Sequence, residues 1–406
     1  MQASQIITGD ETGLIKVFAL YHDYLNAPLV SKQRSFPNQK VAITALEHDP
    51  CNANIFYAGY ENGVIIKYRI PEWTPCKKEL LKRRLEAKGH SYSKKFDVNL
   101  SLVTEATTIL ESKDKIWSLC CSEDTLFAAI EGSVLRFDKN LTDKKIFEVK
   151  EMAALKRVES VLEPETGRVN FMIASLTKLP FGARIDPSNN KIVVWKGKNF
   201  PPDNLRIEPK ITSTFTVANT QGTFVAAGVE KGRVAFYNRG ERRSERKATE
   251  LKAFKPRDHL NGCYAISAMA LNDKYLAIGD VEGTCSVIDP FKDVRLGNLP
   301  RVSGGQVAMK WLDDDHLVST GLDRTMKVYR MVDNKVKLEH EIFLQQRCRV
   351  VSTAMNQMWN YIEEEEGDIT LEVQIDDEIS IEVSESSEDS FLIDGDFTPA
   401  TKERRS

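Results

Sequence analysis

The chain has 406 residues, of which 41% are hydrophobic and 28% charged, with a formal net charge of −3. That apolar share is ample for a sizeable core and excludes a largely disordered chain. The longest near-apolar run, Cys263 to Leu271, falls far short of the ~20 residues that a bilayer span needs. The opening MQASQIITGDETG has no basic region and no long apolar stretch, so no secretory signal is expected.

From the N-terminus onward the chain repeats one pattern. IITGDETGLIKVF (Ile6 to Phe18) is a short apolar run, a Gly, three turn-like residues, a second Gly and another run. FYAGYENGVIIKY (Phe56 to Tyr68) repeats it, and LFAAIEGSVLRF (Leu126 to Phe137) does so with one residue fewer in the turn. VNFMIAS (Val169 to Ser175) is expected to return as KIVVWKG (Lys191 to Gly197) across a long loop. VAAGVEKGRVAFY (Val225 to Tyr237), LAIGDVEGTCSVI (Leu276 to Ile288) and LVSTGLDRTMKVY (Leu317 to Tyr329) complete the series, the last with Thr325 in the second Gly position.

The physics of the pattern is a β-hairpin. Runs rich in Val, Ile, Phe and Tyr suit buried strands, and the Gly in the turn supplies the positive φ that a tight hairpin needs. A third strand candidate precedes most hairpins: AITALEHD (Ala42 to Asp49), KIWSLCCS (Lys115 to Ser122), STFTVANT (Ser213 to Thr220), AISAMALND (Ala265 to Asp273) and QVAMKWLDDD (Gln306 to Asp315). A fourth follows, as in KLEHEIFL (Lys337 to Leu344). Four antiparallel strands repeated seven times predict an all-β, seven-bladed β-propeller over residues 1–355. Six blades plus an irregular segment is the alternative count. The first unit lacks a leading strand, and RCRVVSTAM (Arg347 to Met355) is expected to close the ring there, which removes exposed edges.

Two stretches break the regularity. A basic insert is placed at residues 76–98, between blades 2 and 3. Pro75 to Lys95 carries eight bases against two acids, and Gly240 to His259 is also rich in Arg and Lys. After residue 355 the pattern stops. Residues 357–406 hold 16 acids and three bases, a net of −13, which leaves +10 on the body. Such a tail, poor in aromatic residues, is expected to be disordered. The acids that follow serines in SESSEDS (Ser384 to Ser390) suit acidophilic kinases.

The chemistry of catalysis is sparse. Seven cysteines, an odd number with no CxxC pair, point to cytosol or nucleus and away from a disulfide scaffold or zinc finger. The six histidines (His22, His48, His90, His259, His316, His340) lie at no metal-binding spacing, and His48 and His316 read as turn or core residues. Asp313, Asp314 and Asp315 read as a turn, without calcium-loop spacing. No catalytic, cofactor or metal site is expected, nor a small-molecule substrate. The dense bases Lys77, Lys78, Lys82, Arg83, Arg84, Lys88, Lys94 and Lys95 suit the phosphates of a nucleic acid, contacted without reading sequence. A solvated loop is the plainer reading of the same residues.

Hairpins ending in Trp-Asp, and Gly-His pairs, mark WD repeats. Phe137-Asp138 and Ile288-Asp289 are degenerate echoes, and Gly89-His90 falls in the basic insert. The chain thus resembles a divergent WD-repeat protein. WKGKNFPPDNLRI (Trp195 to Ile207) looks like the Lys-Asn-x-x-x-Asp-x-Leu-x-Leu segment of the nucleolar WD-repeat ribosome-assembly family, with Lys198, Asn199, Asp203, Leu205 and Ile207 in the matching positions. STGLDRTMKVYRM (Ser319 to Met331) resembles that family's last-blade stretch, with Asp323 and Arg324 in its turn.

The resemblance implies a non-enzymatic scaffold in ribosome biogenesis. It would act in the nucleus and nucleolus, bind pre-60S particles through rRNA and other assembly factors, and be released by an AAA-type ATPase. Family tails are basic, whereas this tail is acidic until its last five residues, so tail-mediated RNA binding does not carry over. The rival reading is a WD-repeat adaptor of another complex, such as a ubiquitin-ligase receptor or a trafficking coat.

Overall fold

The structure is a computed structural model of the chain. It describes residues 3–21, 29–71, 100–121, 124–131, 133–148, 155–163, 168–175, 181–186, 191–196, 215–218, 224–229, 233–238, 249–254, 264–290, 292, 294–300, 302–333 and 335–356. Among these residues, no helix is long and apolar enough to cross a membrane.

Among the described residues, twenty-eight strands form seven four-stranded antiparallel sheets. The first sheet contains β1 (Ala3–Asp10), β2 (Leu14–Tyr21) and β3 (Leu29–Arg34). The second is β4 (Ile43–Asp49), β5 (Asn52–Tyr60), β6 (Val64–Arg69) and β7 (Val103–Ile109). The third is β8 (Ser118–Cys121), β9 (Thr125–Ile130), β10 (Ser133–Asp138) and β11 (Lys144–Glu148). The fourth is β12 (Leu155–Glu163), β13 (Arg168–Ser175), β14 (Phe181–Asp186) and β15 (Lys191–Lys196), and the fifth is β16 (Phe215–Ala218), β17 (Phe224–Val229), β18 (Arg233–Asn238) and β19 (Thr249–Phe254). The sixth is β20 (Ile266–Leu271), β21 (Leu276–Asp280), β22 (Cys285–Asp289) and β23 (Val294–Leu299). The seventh is β24 (Gln306–Trp311), β25 (His316–Gly321), β26 (Thr325–Val332) and β27 (Lys335–Phe343). The last strand, β28 (Cys348–Asn356), pairs with β1 from Ala3↔Asn356 to Asp10↔Cys348 and so supplies the fourth strand of the first sheet.

The leading strands form an inner ring. β4 packs on β8, β8 on β12, β12 on β16, β16 on β20, β20 on β24, β24 on β28, and β28 on β4. In β4, β20 and β24 no residue is exposed on either face, so burial does not alternate along them. The core lies between sheets. Ile7, Ile15 and Val17 pack against Ile43, Phe56 and Tyr68; Tyr57 and Ile65 pack against Leu119, Leu126 and Phe137; and Val318 and Val328 pack against Ile6 and Phe18. Each such side chain, fully buried, contributes roughly 1.5–3 kcal/mol.

The first glycine of a hairpin admits the next sheet closely. A Cβ on Gly9 would lie 2.6 Å from Ile43, one on Gly59 2.6 Å from Ile116, and one on Gly279 2.7 Å from Gln306.

Several expectations need correction. Residues 169–175 do not pair with 191–197: β14 lies between β13 and β15, bonded to both. Its sequence, FGARID between Pro180 and Pro187, carries turn residues that hide a strand. The insert at 76–98 follows β6 and precedes β7, which pair within one sheet, so it interrupts blade 2 rather than joining blades 2 and 3. The Thr-rich, exposed β7 lacks the apolar pattern that marks a buried strand. Within the basic stretch 240–259, Thr249–Phe254 is the outer strand of the fifth sheet.

Candidate docking face

The hairpin turns and the loops that lead into the inner strands share one face of the ring. The Glu11 N–H donates to Arg347 O (3.4 Å), Glu61 N–H to Ala42 O (3.0 Å), Val281 N–H to Ala265 O (3.1 Å) and Leu322 N–H to Gly305 O (3.0 Å). In the first sheet the Asp10 carboxylate accepts from Thr12 N–H (2.7 Å), the Thr12 hydroxyl (2.8 Å) and Leu14 N–H (2.9 Å). Gly13 takes the left-handed position at φ 81°.

The turn of the seventh sheet departs from this. Asp323 Oδ1 accepts from Thr325 N–H (3.0 Å) and the Thr325 hydroxyl (2.7 Å). Arg324 N–H donates to Gly321 O (3.2 Å), as Gly13 N–H does to Asp10 O (3.3 Å). The residue in the left-handed position is therefore Arg324, at φ 64°, and not Thr325 as the sequence spacing suggests. A side chain there costs about 1 kcal/mol that glycine would avoid. Leu344 N–H donates to Arg324 O at 2.7 Å, as Leu110 N–H does to Gly63 O and Val302 N–H to Gly283 O (both 3.0 Å). The outcome is a guanidinium at the tip of an exposed turn, its Nη1 3.4 Å from Gln345 O. Asp323 braces the turn, while Arg324 projects from it.

Exposed apolar side chains share that end of the ring. Leu322 is 45% exposed and Phe343, opposite Thr325 in the ladder, is 64% exposed. Val281 on the sixth sheet is 47% exposed, and its carbonyl lies against Gly305, whose own carbonyl bonds Leu322 N–H. Beneath the face, Lys16 donates its ammonium to Leu344 O and to Gln346 Oε1 (3.0 Å), which ties the first sheet to the loop entering β28. Burial, and secondarily Lys32, pushes the Lys16 pKa down, against the pull of Asp10. Nothing in the local sequence marks Lys16 as buried, because its acceptors lie more than three hundred residues away in the chain.

The remaining expected contacts are distributed as follows. Lys198, Asn199, Asp203, Leu205 and Ile207 lie outside the described residues. So do Lys77, Lys78, Lys82, Arg83, Arg84, Lys88, Lys94 and Lys95, and the tail 357–406. Asp313 makes the expected turn, accepting Asp315 N–H (2.8 Å) and His316 N–H (2.7 Å). Burial raises its pKa, but the His316 ring and these N–H groups outweigh that and hold it at about 2. His48 is a core residue of β4, with Nδ1 2.8 Å from Ser352 Oγ on β28.

Among the described residues, no group of three or more His, Cys, Asp or Glu side chains could hold a metal ion. Burial pushes the thiols of Cys121 and Cys285 well up, and that of Cys348 up to about 11. Such thiols are not thiolate nucleophiles at neutral pH. Burial likewise raises Tyr57, Tyr60 and Tyr329. What the face can do is bind: it offers exposed apolar groups and a guanidinium on a rigid frame.

No protein-family model matches the chain, and no curated protein matches it. Among solved structures, the crystal structure of the β-propeller domain of Cps50 (Swd1) from Myceliophteria thermophila is similar, with a TM-score of 0.51 and 12% sequence identity. The match covers 78% of this chain and 90% of that one. With 1606 solved chains matching in all, the likeness establishes the β-propeller fold and singles out no one function.

Proposed function

We propose that this propeller is a non-enzymatic scaffold of the WD-repeat type that acts in ribosome biogenesis, holding rRNA and assembly factors on nuclear pre-60S particles. The observation that carries the reading is the joining of a rigid ring, with loops on two faces, to a body of net charge +10. A rigid disc with two loop faces engages several partners at once, and a basic surplus suits a ribonucleoprotein. The resemblance of 195–207 and 319–331 to the ribosome-assembly family narrows the assembly to the large subunit.

In this reading Lys198 to Ile207 and Arg324 contact assembly factors, and the bases from Lys77 to Lys95 lie along rRNA phosphates. Residence is nucleolar, and an AAA-type ATPase removes the protein when its stage ends. Ultraviolet crosslinking of the tagged full chain in cells tests this. Crosslinks to large-subunit precursor rRNA, mapping to 77–95, are expected. Crosslinks to no RNA, with a ligase or coat complex recovered instead, would overturn the reading.

A further inference from the structure

Among the described residues, β7 is the outer strand of the second sheet, bonded to β6 on one side and to no other strand. Edge strands invite pairing unless charge, proline, shortness or a cover prevents it. Most other outer strands of this ring are protected. At β3, Leu100 N–H donates to Val30 O (3.0 Å) and Leu100 O accepts the Ser31 hydroxyl (2.6 Å). β27 carries Lys335, Lys337, Glu339 and Glu341, and β11 carries Lys144, Lys145 and Glu148. β23 has one charge, but Gly297 in its middle packs against Val336 of the next sheet, where an added Cβ would lie 3.2 Å away.

Among the described residues, β7 has no such protection. Its one charge, Glu105, is neutralised by Lys67 at 3.1 Å and Arg69 at 2.8 Å. Five of its seven residues are β-branched (Val103, Thr104, Thr107, Thr108, Ile109), types that favour extended pairing. Val103 and Ile109 are 39% and 66% exposed.

The chain itself holds a matching segment. In ITLEVQIDDEISIEV (residues 369–383), apolar residues stand at 369, 371, 373 and 375, and again at 379, 381 and 383. That is the period of a strand, interrupted at Asp376-Asp377-Glu378 by a turn composition. A strand added to an existing sheet needs no core of its own.

The topology brings the two within reach. β28 and β4 adjoin and both start on the hairpin-turn face, so Asn356 lies at the end of the ring where β7 begins. The path from β28 across the second sheet to the outside of β7 is about 30 Å, from strand spacings of ~4.8 Å and a gap of ~10 Å between sheets. The 13 residues from Asn356 to Ile369 span up to about 45 Å. Lys67 and Arg69 against the single Glu105 leave this stretch of β7 with a net positive charge, and the segment brings Glu372 to it.

We propose that residues 369–375 add to the free edge of β7 as a fifth strand of the second sheet, with 379–383 completing a hairpin outside it. A tether this short presents the segment at millimolar effective concentration, so a contact too weak to hold a separate peptide is well populated within one chain. The inference rests on the fold and the tail pattern alone, independently of the ribosomal reading.

Hydrogen–deuterium exchange on the full chain tests it. Residues 369–375 are expected to exchange at least about tenfold more slowly than unprotected amides. Val373→Pro removes a ladder donor outside the propeller. It is expected to return 369–375 to the unprotected rate and to speed exchange in β7, with the other sheets unchanged. Unprotected exchange in the parent chain would overturn the proposal, as would protection that survives Val373→Pro. Protection lost on dilution would also overturn it, by showing that the edge pairs with a second copy.

Discussion

His48 makes the closure of the ring sensitive to acid. The side chain is buried on β4, its ring tilted against Phe56 at 6.3 Å and its Nδ1 2.8 Å from Ser352 on the closing strand β28. Burial first, and the Lys310 ammonium second, hold its pKa at about 3 against the ordinary 6.5. The folded protein thus refuses a proton that the unfolded chain accepts, so this stability is complete above pH 6.5 and is lost as the pH falls toward 3. At 1.36 kcal/mol per unit, the fall from pH 7 to pH 5 removes about 2 kcal/mol.

The chain holds five other histidines, so the assay compares two chains. Urea unfolding at pH 7, 6 and 5, followed by tryptophan fluorescence, is run on the parent and on His48→Gln, which keeps a polar partner for Ser352 without a titrating group. The parent is expected to lose about 2 kcal/mol more than the variant over that range. Parallel curves would refute the claim that a neutral imidazole secures β28.

Two further predictions concern backbone and charge. Gly283 and Gly304 share the left-handed conformation, at φ 85° and 84°, but a Cβ on Gly283 would collide with the Val302 carbonyl, whereas one on Gly304 meets only Leu322 at 3.4 Å. Gly304→Ala is therefore expected to cost about 1 kcal/mol and Gly283→Ala about 3 kcal/mol or more, read as separate shifts in thermal midpoint; equal shifts would contradict the packing described. Reversing Lys82, Arg83 and Arg84 to Glu is expected to leave folding intact and to flatten the salt dependence of ribonucleoprotein binding by about two to three units of log–log slope. An unchanged slope would remove these residues from the phosphate contacts.

Much of the fold was legible because hairpins announce themselves. Gly9 and Gly13, Gly59 and Gly63, and Gly279 and Gly283 each bracket a turn whose second glycine has positive φ, a requirement that few other residues meet. Where another residue meets it, spacing misleads: Arg324 takes that conformation one place before Thr325. A strand that sets few residues on the core leaves little periodic trace, as with β7, where Ala106 packs on the core and most of the others are exposed, and β14 was hidden by the prolines on either side of it.

The candidate docking face was legible only in part. Asp323 and Arg324 were found as a motif, but their separate roles depend on hydrogen bonds to Thr325 and Leu344. Val281 comes from the turn of the neighbouring sheet and Phe343 from the end of β27, and exposure is not written in residue type.

Sedimentation of the tagged full chain from nuclear extract, with the RNA of each fraction sequenced, tests the scaffold claim most directly. Co-migration with large-subunit precursor rRNA, lost on RNase treatment, is the predicted result. Migration as a small, RNA-free species would contradict the ribosomal assignment and leave a propeller whose partners lie in another complex.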